Sequence, residues 1–380
     1  MKVLVTTFLL VLFTIQVCHA QQTITKDIEH DGAMRQYIIY IPAGYDASTP
    51  VPLLFNFHGF TQFARLYMSF ADMRPVADTA NFILVYPQGS LLNGIPHWNV
   101  GAWTQSSSTD DVGFTSAMID EIAAEYNIDE SRIYSCGYSN GGFFSFELAC
   151  QLSDRIAAIG SVAANMTSNT RENCAPEHPI PVVTIAGTSD NIVQYGGNNL
   201  GGIISHPETL EYWVSHNDAE PNPIIMNLPD LDPSDGSTIE HLQYPDGKNC
   251  STVEHYKVLG GGHDWPGSTG NMDVNAGQAI WNFVSSYDIN GKIGCATSST
   301  QTSGSNNYEI AIFPNPTNGT LFIEQSSREK QHYFLFEVTG QLVQSGDLAI
   351  GRNRINIDRL PPNFYILKVN DKTFKIVKTE

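Results

Sequence analysis

The sequence predicts an α/β domain built on a mostly parallel sheet, followed by a small all-β sandwich. From residue 21 to residue 295, apolar runs typical of buried strands alternate with segments of helical periodicity. Repeated strand–helix–strand units require a parallel sheet that is covered on both faces. Residues 296–306 form a small polar linker, and residues 307–380 alternate apolar and polar residues between Gly, Asn and Pro turns. The chain is therefore expected to hold two domains of different class.

These patterns place the elements of the first domain. The predicted strands are residues 35–41, 52–58, 81–87, 132–138, 156–164, 181–187 and 253–260. The predicted helices are residues 111–127, 142–152, 207–217 and 275–287. Asp110 or Asp111 is expected to cap the first helix, because a carboxylate there can accept the unpaired backbone N–H groups.

Residues 1–20 have the pattern of a secretory signal peptide. Lys2 precedes a short apolar core, and Ala20 stands at a cleavable end. The apolar run is too short for a membrane span, and the rest of the sequence has no run that is long and apolar enough to cross a bilayer. We therefore expect an exported protein without a membrane span.

Because the protein is expected to be exported, some of its cysteines should form disulfides in an oxidising compartment. The first expected pair is Cys150 with Cys174, because the chain between them is short enough to close easily. The second expected pair is Cys250 with Cys295. Cys136 lies in an apolar strand and is expected to be a small buried hydrophobic residue.

The acidic charge of the chain is concentrated in its first part. Residues 21–306 hold 10 Lys and Arg against 31 Asp and Glu, a balance of −21. Residues 307–380 hold 9 against 8, a balance of +1, and Lys2 supplies the last +1 of the total of −19. A surface of this charge repels polyanions, so binding to nucleic acid is not expected.

The stretch Gly137-Tyr138-Ser139-Asn140-Gly141 has the pattern G-x-S-x-G between a predicted strand and a predicted helix. In that context the serine occupies a sharp, strained turn that exposes its hydroxyl at the end of the sheet. Glycine is needed two residues before and after it, because side chains there would clash with neighbouring backbone. Gly142 would let the helix pack close to the strand. The pattern predicts Ser139 as a nucleophile, with an ordinary glycine-rich turn as the alternative.

A serine nucleophile needs a base, and the base needs an acid that orients it. Asp190 follows the predicted strand 181–187, and His263 lies in a glycine-rich loop after the strand 253–260. The chain order Ser139, Asp190, His263 is the order expected when the serine follows a strand in this way. Asp264 competes for the acid role, but its place next to His263 is poor geometry for reaching Nδ1.

The tetrahedral oxyanion of acyl transfer needs two hydrogen-bond donors. The backbone N–H of Asn140, the residue after the nucleophile, is one expected donor. The other is expected from the loop after the strand 52–58, where the N–H of Phe60 is the first choice and that of Thr61 the second. His58, at the start of this loop, is expected to be structural rather than a second base.

A resemblance to a known family covers residues 30–288. The motifs that carry it, in order, are "HGF" (58–60), "WNVG" (98–101), "DDVGF" (110–114), "GYSNGG" (137–142), "LSDRIAAIGSVAA" (152–164), "GTSDNIV" (187–193) and "GGGHDWPG" (260–267). Together they resemble the secreted polyhydroxybutyrate depolymerase and feruloyl esterase group, which overlaps carbohydrate esterase family 1. The resemblance implies an α/β-hydrolase fold, with Ser139 as nucleophile, Asp190 as acid and His263 as base.

The chain departs from this group at its cysteines. Many members have a cysteine pair after W-N-x-G, where this chain has Ala102 and Trp103, and residues 215–220 lack a further cysteine of the group. Trp103 either lines the acyl pocket or fills the space of the missing bridge. The expected substrate contacts are Phe60, Trp103 and Trp265.

The resemblance implies a secreted serine carboxylic-ester hydrolase that forms an acyl-enzyme. Feruloyl or acetyl esters on plant polysaccharide are the first expected substrates. A polyester, either polyhydroxybutyrate or an aromatic polyester such as PET, is the alternative, because "HGFTQ" (58–62) is similar to the oxyanion segment of cutinase-like polyester hydrolases. A serine peptidase, which uses the same triad, is a third possibility. No cofactor or metal is expected, since residues 230–241 fail the calcium-loop pattern and no H-E-x-x-H or C-x-x-C occurs.

The last domain carries a second resemblance. "FPNPTNG" (313–319), "VTGQLV" (338–343) and "INIDRLPPNFYILKV" (355–369) are similar to the C-terminal sorting domain of Bacteroidetes type IX secretion cargo. The resemblance implies export across the outer membrane of a Gram-negative bacterium by the type IX machinery. The mature protein would then be secreted or held at the cell surface. A carbohydrate-binding sandwich is the alternative interpretation of this domain.

Overall fold

The computed structural model describes residues 21–295, 310–325, 331–337, 342–369 and 372–379. The chain divides into two compact units, and the division falls between Thr297 and Ser298. The predicted signal peptide and linker lie outside the described residues, as does the part of "VTGQLV" before Leu342.

The first unit is organised around one ten-stranded sheet in the order β1-β2-β4-β3-β7-β8-β9-β12-β11-β10. Neighbouring strands from β4 to β12 run parallel, whereas β1, β2, β10 and β11 join antiparallel at the two sides. The strands are β1 (Gln22–His30), β2 (Ala33–Ile41), β3 (Val51–Phe57), β4 (Ile83–Pro87), β7 (Ile128–Tyr138), β8 (Ala158–Val162), β9 (Val182–Gly187), β10 (Ile224–Asn227), β11 (Thr238–Tyr244) and β12 (Val253–Leu259). This arrangement is the α/β-hydrolase fold.

Helices and small hairpins complete the unit. The α-helices are α1 (Ala64–Phe70), α2 (Arg74–Ala80), α3 (Asp111–Glu125), α4 (Asn140–Gln151), α5 (Ser168–Glu172), α6 (His206–His216) and α7 (Ala276–Val284). The hairpins are β5 (Ser90–Leu92) with β6 (Ile95–His97), and β13 (Tyr287–Asp288) with β14 (Gly291–Lys292).

Helix α3 shows how the two adjacent aspartates divide their roles. Asp110 is the cap, because its carboxylate accepts the N–H of Gly113 at 2.8 Å. Asp111 is buried and pairs with Arg35, whose Nη2 donates to Oδ1 at 2.7 Å. Asp111 Oδ2 also accepts the N–H of Asn99 at 2.7 Å, so this buried pair fixes the segment that follows β6.

The central sheet is covered on both faces by apolar side chains. One core cluster includes Phe55, Phe57, Trp98 and Phe144, and the other includes Leu54, Tyr86 and Trp281. Because alternate residues of β3 enter different clusters, the strand is buried on both sides, as a parallel sheet requires.

The structure confirms both expected disulfides, Cys150–Cys174 and Cys250–Cys295. Cys136 is a free thiol in β7 with no exposed surface, as the strand pattern predicts. Burial raises the pKa of this thiol, so it stays protonated and unreactive at neutral pH.

The second unit consists of two antiparallel sheets that share one apolar core. One sheet has the order β15-β16-β19 and the other β18-β17-β20-β21. Their strands are β15 (Ile310–Phe313), β16 (Thr320–Gln325), β17 (Gln331–Glu337), β18 (Leu342–Leu348), β19 (Gly351–Asn356), β20 (Asn363–Val369) and β21 (Lys372–Lys378). Leu321 of β16 and Leu367 of β20 lie in the same cluster, so the sheets form a small sandwich.

Two buried histidines in the first unit form a polar chain beside β9. The hydroxyl of Thr184 lies 3.1 Å from His206 Nε2 and 2.9 Å from His255 Nδ1, and neither ring has exposed surface. Tyr195 extends the chain, with its hydroxyl 3.0 Å from His255 Nε2. Desolvation lowers the pKa of His206 to about 3 and that of His255 well below its ordinary value of 6.5.

The lowered pKa values of His206 and His255 predict that the protein loses stability in acid. Between pH 6.5 and about 3 the unfolded chain binds protons that the folded His206 does not, so stability falls as the pH falls. Each such group contributes a slope of at most about 1.4 kcal/mol per pH unit. Urea unfolding of the wild type and of His206→Gln at several pH values tests this. The difference in stability between them should shrink from pH 7 to pH 4.5, and a difference that stays constant would contradict the prediction.

Candidate active site

Ser139 lies between the end of β7 and the start of α4, on a strained turn. Its φ is 52° and its ψ is −121°, a conformation that costs a non-glycine residue about 1–3 kcal/mol. The backbone holds it there, because Ser139 N–H donates to the carbonyl of Val162 at 2.9 Å and its carbonyl accepts from Phe143. The turn presents the side chain at the carboxyl edge of the sheet, where the sequence pattern places it.

The glycines around Ser139 are required by close backbone approaches. A Cβ on Gly141 would lie 2.0 Å from the carbonyl oxygen of Phe57, and one on Gly137 would lie 2.4 Å from the carbonyl carbon of Gly141. A Cβ on Gly142 would meet Ala164 Cβ at 2.8 Å. The steric reason for the G-x-S-x-G pattern is therefore visible in the packing of α4 against β3 and β8.

Gly141→Ala is accordingly expected to destabilise the protein strongly. The added methyl group collides with backbone that cannot move away, so we expect a loss of about 3 kcal/mol in the free energy of unfolding. Gly196→Ala is the matched control, because a Cβ on Gly196 has no atom within 4 Å. Urea unfolding of both variants measures the effect, and equal stabilities would show that the turn is not packed in this way.

Asp190 and His263 are brought together by the loops after β9 and β12. The Nδ1 of His263 lies 2.6 Å from Asp190 Oδ2. The other carboxylate oxygen, Oδ1, accepts the N–H groups of Ile192 and Val193, both at 2.8 Å. Since an ionised carboxylate can only accept, Nδ1 carries the proton and Nε2 is left as a free base.

The two loops are also joined to each other and to the serine turn. Ser189 N–H donates to the carbonyl of Gly261 at 2.9 Å, and the hydroxyl of Tyr138 donates to the carbonyl of His263 at 2.7 Å. Tyr138 directly precedes Ser139, and its ring centroid lies 5.0 Å from that of His263. Among the described residues Ser139 Oγ makes no hydrogen bond with the imidazole of His263.

Tyr138 makes a contact that the sequence did not predict. It is the variable second residue of the G-x-S-x-G pattern, which carries no signal of its own. Its hydroxyl nevertheless joins the loop that holds His263 to the strand that ends at the Ser139 turn. Only its aromatic character next to the serine could have suggested this.

The expected oxyanion donors differ in their backbone partners. Thr61 N–H donates to the carbonyl of Pro96 at 3.0 Å, so that amide is already used within the fold. The amides of Phe60 and Asn140 have no backbone acceptor among the described residues. In the loop after β3, which we call the first loop, the amide of Phe60 rather than that of Thr61 is therefore open to a ligand.

His58 is enclosed and neutral. It has no exposed surface, and burial lowers the pKa of its imidazole to about 4. Its Nε2 accepts the N–H of Gly89 at 2.9 Å, which requires the proton to be on Nδ1, 2.7 Å from the carbonyl of Gly59. These contacts shape the loop before Phe60.

The aromatic residues predicted to touch substrate are placed differently from one another. Trp103 is 37% exposed and packs edge-on against Phe143, one turn along the helix from Ser139. Phe60 is half-buried. Trp265 is only 3% exposed and packs edge-on against Tyr67, which leaves its ring little surface for a ligand.

The structure also shows the surroundings of Asp264, the competing acid, and of residues 230–241, which fail the calcium-loop pattern. The carboxylate of Asp264 packs on Gly270, where a Cβ would lie 2.4 Å from Asp264 Cγ. Residues 230–241 form a turn and the start of β11. Within the described ranges, no group of three or more His, Cys, Asp or Glu side chains is arranged to hold a metal ion.

Comparison with known proteins relates both units to characterised families. Over 275 residues the chain is 26% identical to the bifunctional acetylxylan esterase/xylanase XynS20E of Neocallimastix patriciarum, covering 72% of this chain and 36% of that protein. Over 266 residues it is 29% identical to feruloyl esterase B of Piromyces equi, covering 67% of this chain and 46% of that protein. The chain is similar in sequence to feruloyl and acetylxylan esterases. It spans less than half the length of these two relatives.

A solved structure and a family match complete the comparison. The acetyl xylan esterase from Aspergillus awamori superposes with a TM-score of 0.48 at 12% identity, over 70% of this chain and 99% of that one. Residues 311–379 match the family described as "Secretion system C-terminal sorting domain". The second unit is thus a sorting domain, which supports secretion through the type IX system. None of the helices in the described part of the chain is long and apolar enough to cross a membrane.

Proposed function

We propose that the chain is a secreted serine carboxylic-ester hydrolase, with Ser139 as nucleophile, His263 as base and Asp190 as orienting acid. The observation that carries the proposal is the bond between His263 Nδ1 and Asp190 at the same sheet edge as the strained Ser139 turn. The homology to feruloyl and acetylxylan esterases supports it. Asp190 suits the role of orienting acid because it is buried and because two backbone N–H groups hold one of its carboxylate oxygens in place.

The reaction proceeds by two acyl transfers. His263 Nε2 takes the hydroxyl proton as Ser139 Oγ attacks the ester carbonyl, and the amides of Phe60 and Asn140 stabilise the oxyanion. The imidazolium then gives its proton to the leaving alcohol, and an acyl-enzyme remains. Water, deprotonated by the same nitrogen, attacks the acyl-enzyme; the acid is released and the proton returns to Ser139.

The surroundings of Ser139 favour an uncharged substrate. Residues 88–109, which follow β4, contain no Asp, Glu, Lys or Arg, although residues 21–306 carry a net charge of −21. Trp103 offers a partly exposed ring in this segment. Feruloyl or acetyl esters on plant polysaccharide combine an uncharged polymer with a small or aromatic acyl group. They are our first proposed substrates.

Exposed aliphatic side chains give a second candidate some support. Leu66 and Ile192 are both 71% exposed and Leu91 is 63% exposed, and all three follow strands at the edge that carries Ser139. Such side chains suit an apolar polymer surface. A polyester depolymerase is therefore our alternative proposal.

The proposed domain organisation assigns a role to each part of the chain. Residues 1–20 are the signal peptide, 21–295 the catalytic domain, 296–306 the linker and 307–380 the sorting domain. The sorting domain would engage the type IX machinery, after which the catalytic domain is released or held at the cell surface. Fractionation of a producing bacterium would distinguish these two fates.

The test is hydrolysis by the purified full-length protein. We would offer a short p-nitrophenyl ester, methyl ferulate, acetylated xylan, and a suspension of polyhydroxybutyrate or an aromatic polyester. Hydrolysis of methyl ferulate or of the acetyl esters of acetylated xylan is the expected result, with stoichiometric inactivation by a fluorophosphonate probe on Ser139. If soluble products are released from the polyester and the feruloyl and acetyl esters are not hydrolysed, the alternative is favoured. If no ester is hydrolysed and the probe does not label the protein, the proposal is overturned.

A further inference from the structure

The two proposed oxyanion donors belong to different segments beyond the end of the strand pairing: Phe60 to the loop after β3, and Asn140 to the first turn of α4. The ladder between β3 and β7 ends at the pair Phe57 and Gly137. Phe60 lies three residues past this point on one side, and Asn140 lies three residues past it on the other. Something other than the ladder must therefore fix the distance between these two amides, since such donors need placing to within about 0.5 Å.

Trp98 connects the loop after β3 to the first turn of α4. Its backbone N–H donates to Asn140 Oδ1 at 2.7 Å, and its carbonyl accepts from Asn140 Nδ2 at 3.1 Å. Its indole Nε1–H donates to the carbonyl of His58 at 2.9 Å. One residue thus holds the side chain of Asn140 by two hydrogen bonds and the loop of Phe60 by a third.

The surroundings of Trp98 make this link rigid. The ring has no exposed surface, stacks on Phe144 at 5.2 Å and meets Phe57 edge-on at 5.0 Å. Pro96, two residues earlier, accepts the N–H of Thr61 at 3.0 Å. The segment from Pro96 to Trp98 therefore contacts the first loop on both sides of the Phe60 amide.

Trp213 shows that such bonds are not simply what a buried tryptophan requires. It lies in the same apolar cluster as Trp98 and also has no exposed surface. Its indole nitrogen nevertheless has no hydrogen-bond partner within the described part of the chain. Packing alone accounts for Trp213, whereas Trp98 is in addition bonded to His58 in the loop after β3 and to Asn140 at the start of α4.

We propose that Trp98 is a positioning residue that sets the spacing of the Phe60 and Asn140 amides and so stabilises the tetrahedral intermediate. The proposal rests on the function proposed above and adds to it a residue that does not touch the substrate. Because the two donors act mainly when negative charge develops on the carbonyl oxygen, their misplacement affects the transition state more than substrate binding.

The test replaces the indole N–H in two ways. Trp98→Phe keeps an aromatic ring, and 3-benzothienylalanine at position 98 keeps the bicyclic shape but has sulfur in place of the N–H. We expect kcat for a p-nitrophenyl ester to fall about 10-fold in both, with KM within about twofold. The inhibition constant of an arylboronic acid, which forms a tetrahedral adduct on the serine, should rise by the same factor.

Trp213→Phe is the matched control and should lose stability without changing kcat or boronate affinity. If both replacements of Trp98 leave kcat and boronate affinity within twofold of the wild type, Trp98 is only a core residue and the proposal is overturned. The benzothienyl replacement preserves shape, so it gives an answer even if Trp98→Phe does not fold. A wild-type protein that neither hydrolyses esters nor binds the boronate would instead refute the proposed function.

Discussion

Ser139→Ala is expected to lower kcat for every accepted ester by about 10⁵- to 10⁶-fold. The hydroxyl is the only atom that can form the acyl-enzyme in the proposed mechanism, and the other groups cannot replace it. Residual hydrolysis should remain about 10³- to 10⁴-fold above the rate in water, because the amides of Phe60 and Asn140 still stabilise an oxyanion. Steady-state kinetics on a p-nitrophenyl ester measures the loss, and mass spectrometry should show no labelling by a fluorophosphonate.

Ser161→Ala is the control for this experiment. Ser161 is a buried serine in β8 whose hydroxyl has no hydrogen-bond partner within the described ranges. Removing that oxygen should leave kcat unchanged and should not reduce stability. Turnover that survived in Ser139→Ala would mean that another group is the nucleophile, and the proposed mechanism would fail.

Asp190→Asn is expected to lower kcat by about 10⁴-fold with little change in fold. The reason is specific to this carboxylate, because Oδ1 accepts two backbone N–H groups from Ile192 and Val193. In the variant the amide oxygen must take that position, which turns the NH₂ group toward His263 Nδ1. The imidazole then accepts at Nδ1 and carries its proton on Nε2, so it cannot act as a base.

Asp264→Asn provides the comparison for the acid role. Its carboxylate packs against Gly270 and should not affect the tautomer of His263. We expect less than a threefold change in kcat, measured with the same ester. Equal losses in the two variants would show that the effect is one of general charge, and a larger loss in Asp264→Asn would reverse the assignment.

The sequence predicted the strands that form apolar runs and the helices that have a clear helical periodicity. The runs in β3, β4, β8 and β9 are mostly apolar and buried. Their observed bounds, and those of the more polar β12, lie within about two residues of the predicted ones. Helices α1 and α2 were missed because each has only seven residues and no side-chain cap. Strand β10 was missed because most of its side chains are exposed, which removes the alternation that marks a half-buried strand.

The candidate site divides in the same way. Ser139, Asp190 and His263 could be proposed from the sequence because local motifs and chain order carry them. The bonds of Tyr138 to His263 and of Trp98 to His58 and Asn140 could not, because they join residues 40 or more positions apart. Trp98 and Trp213 are indistinguishable as apolar residues in a sequence, and only the packing shows which indole is bonded.

The Cys250–Cys295 bridge gives the first unit a mechanical property. If the protein is held through its sorting domain, any pull enters the first unit at Cys295. The bridge passes that tension directly to Cys250, which lies just before β12 in the central sheet. The chain between the two cysteines, which includes β12, His263 and helix α7, is not part of the covalent path between the tether and Cys250. A domain tethered at this end would therefore take at the bridge a load that would otherwise pull first on the β13–β14 hairpin, then on α7 and the loop that holds the proposed base, His263.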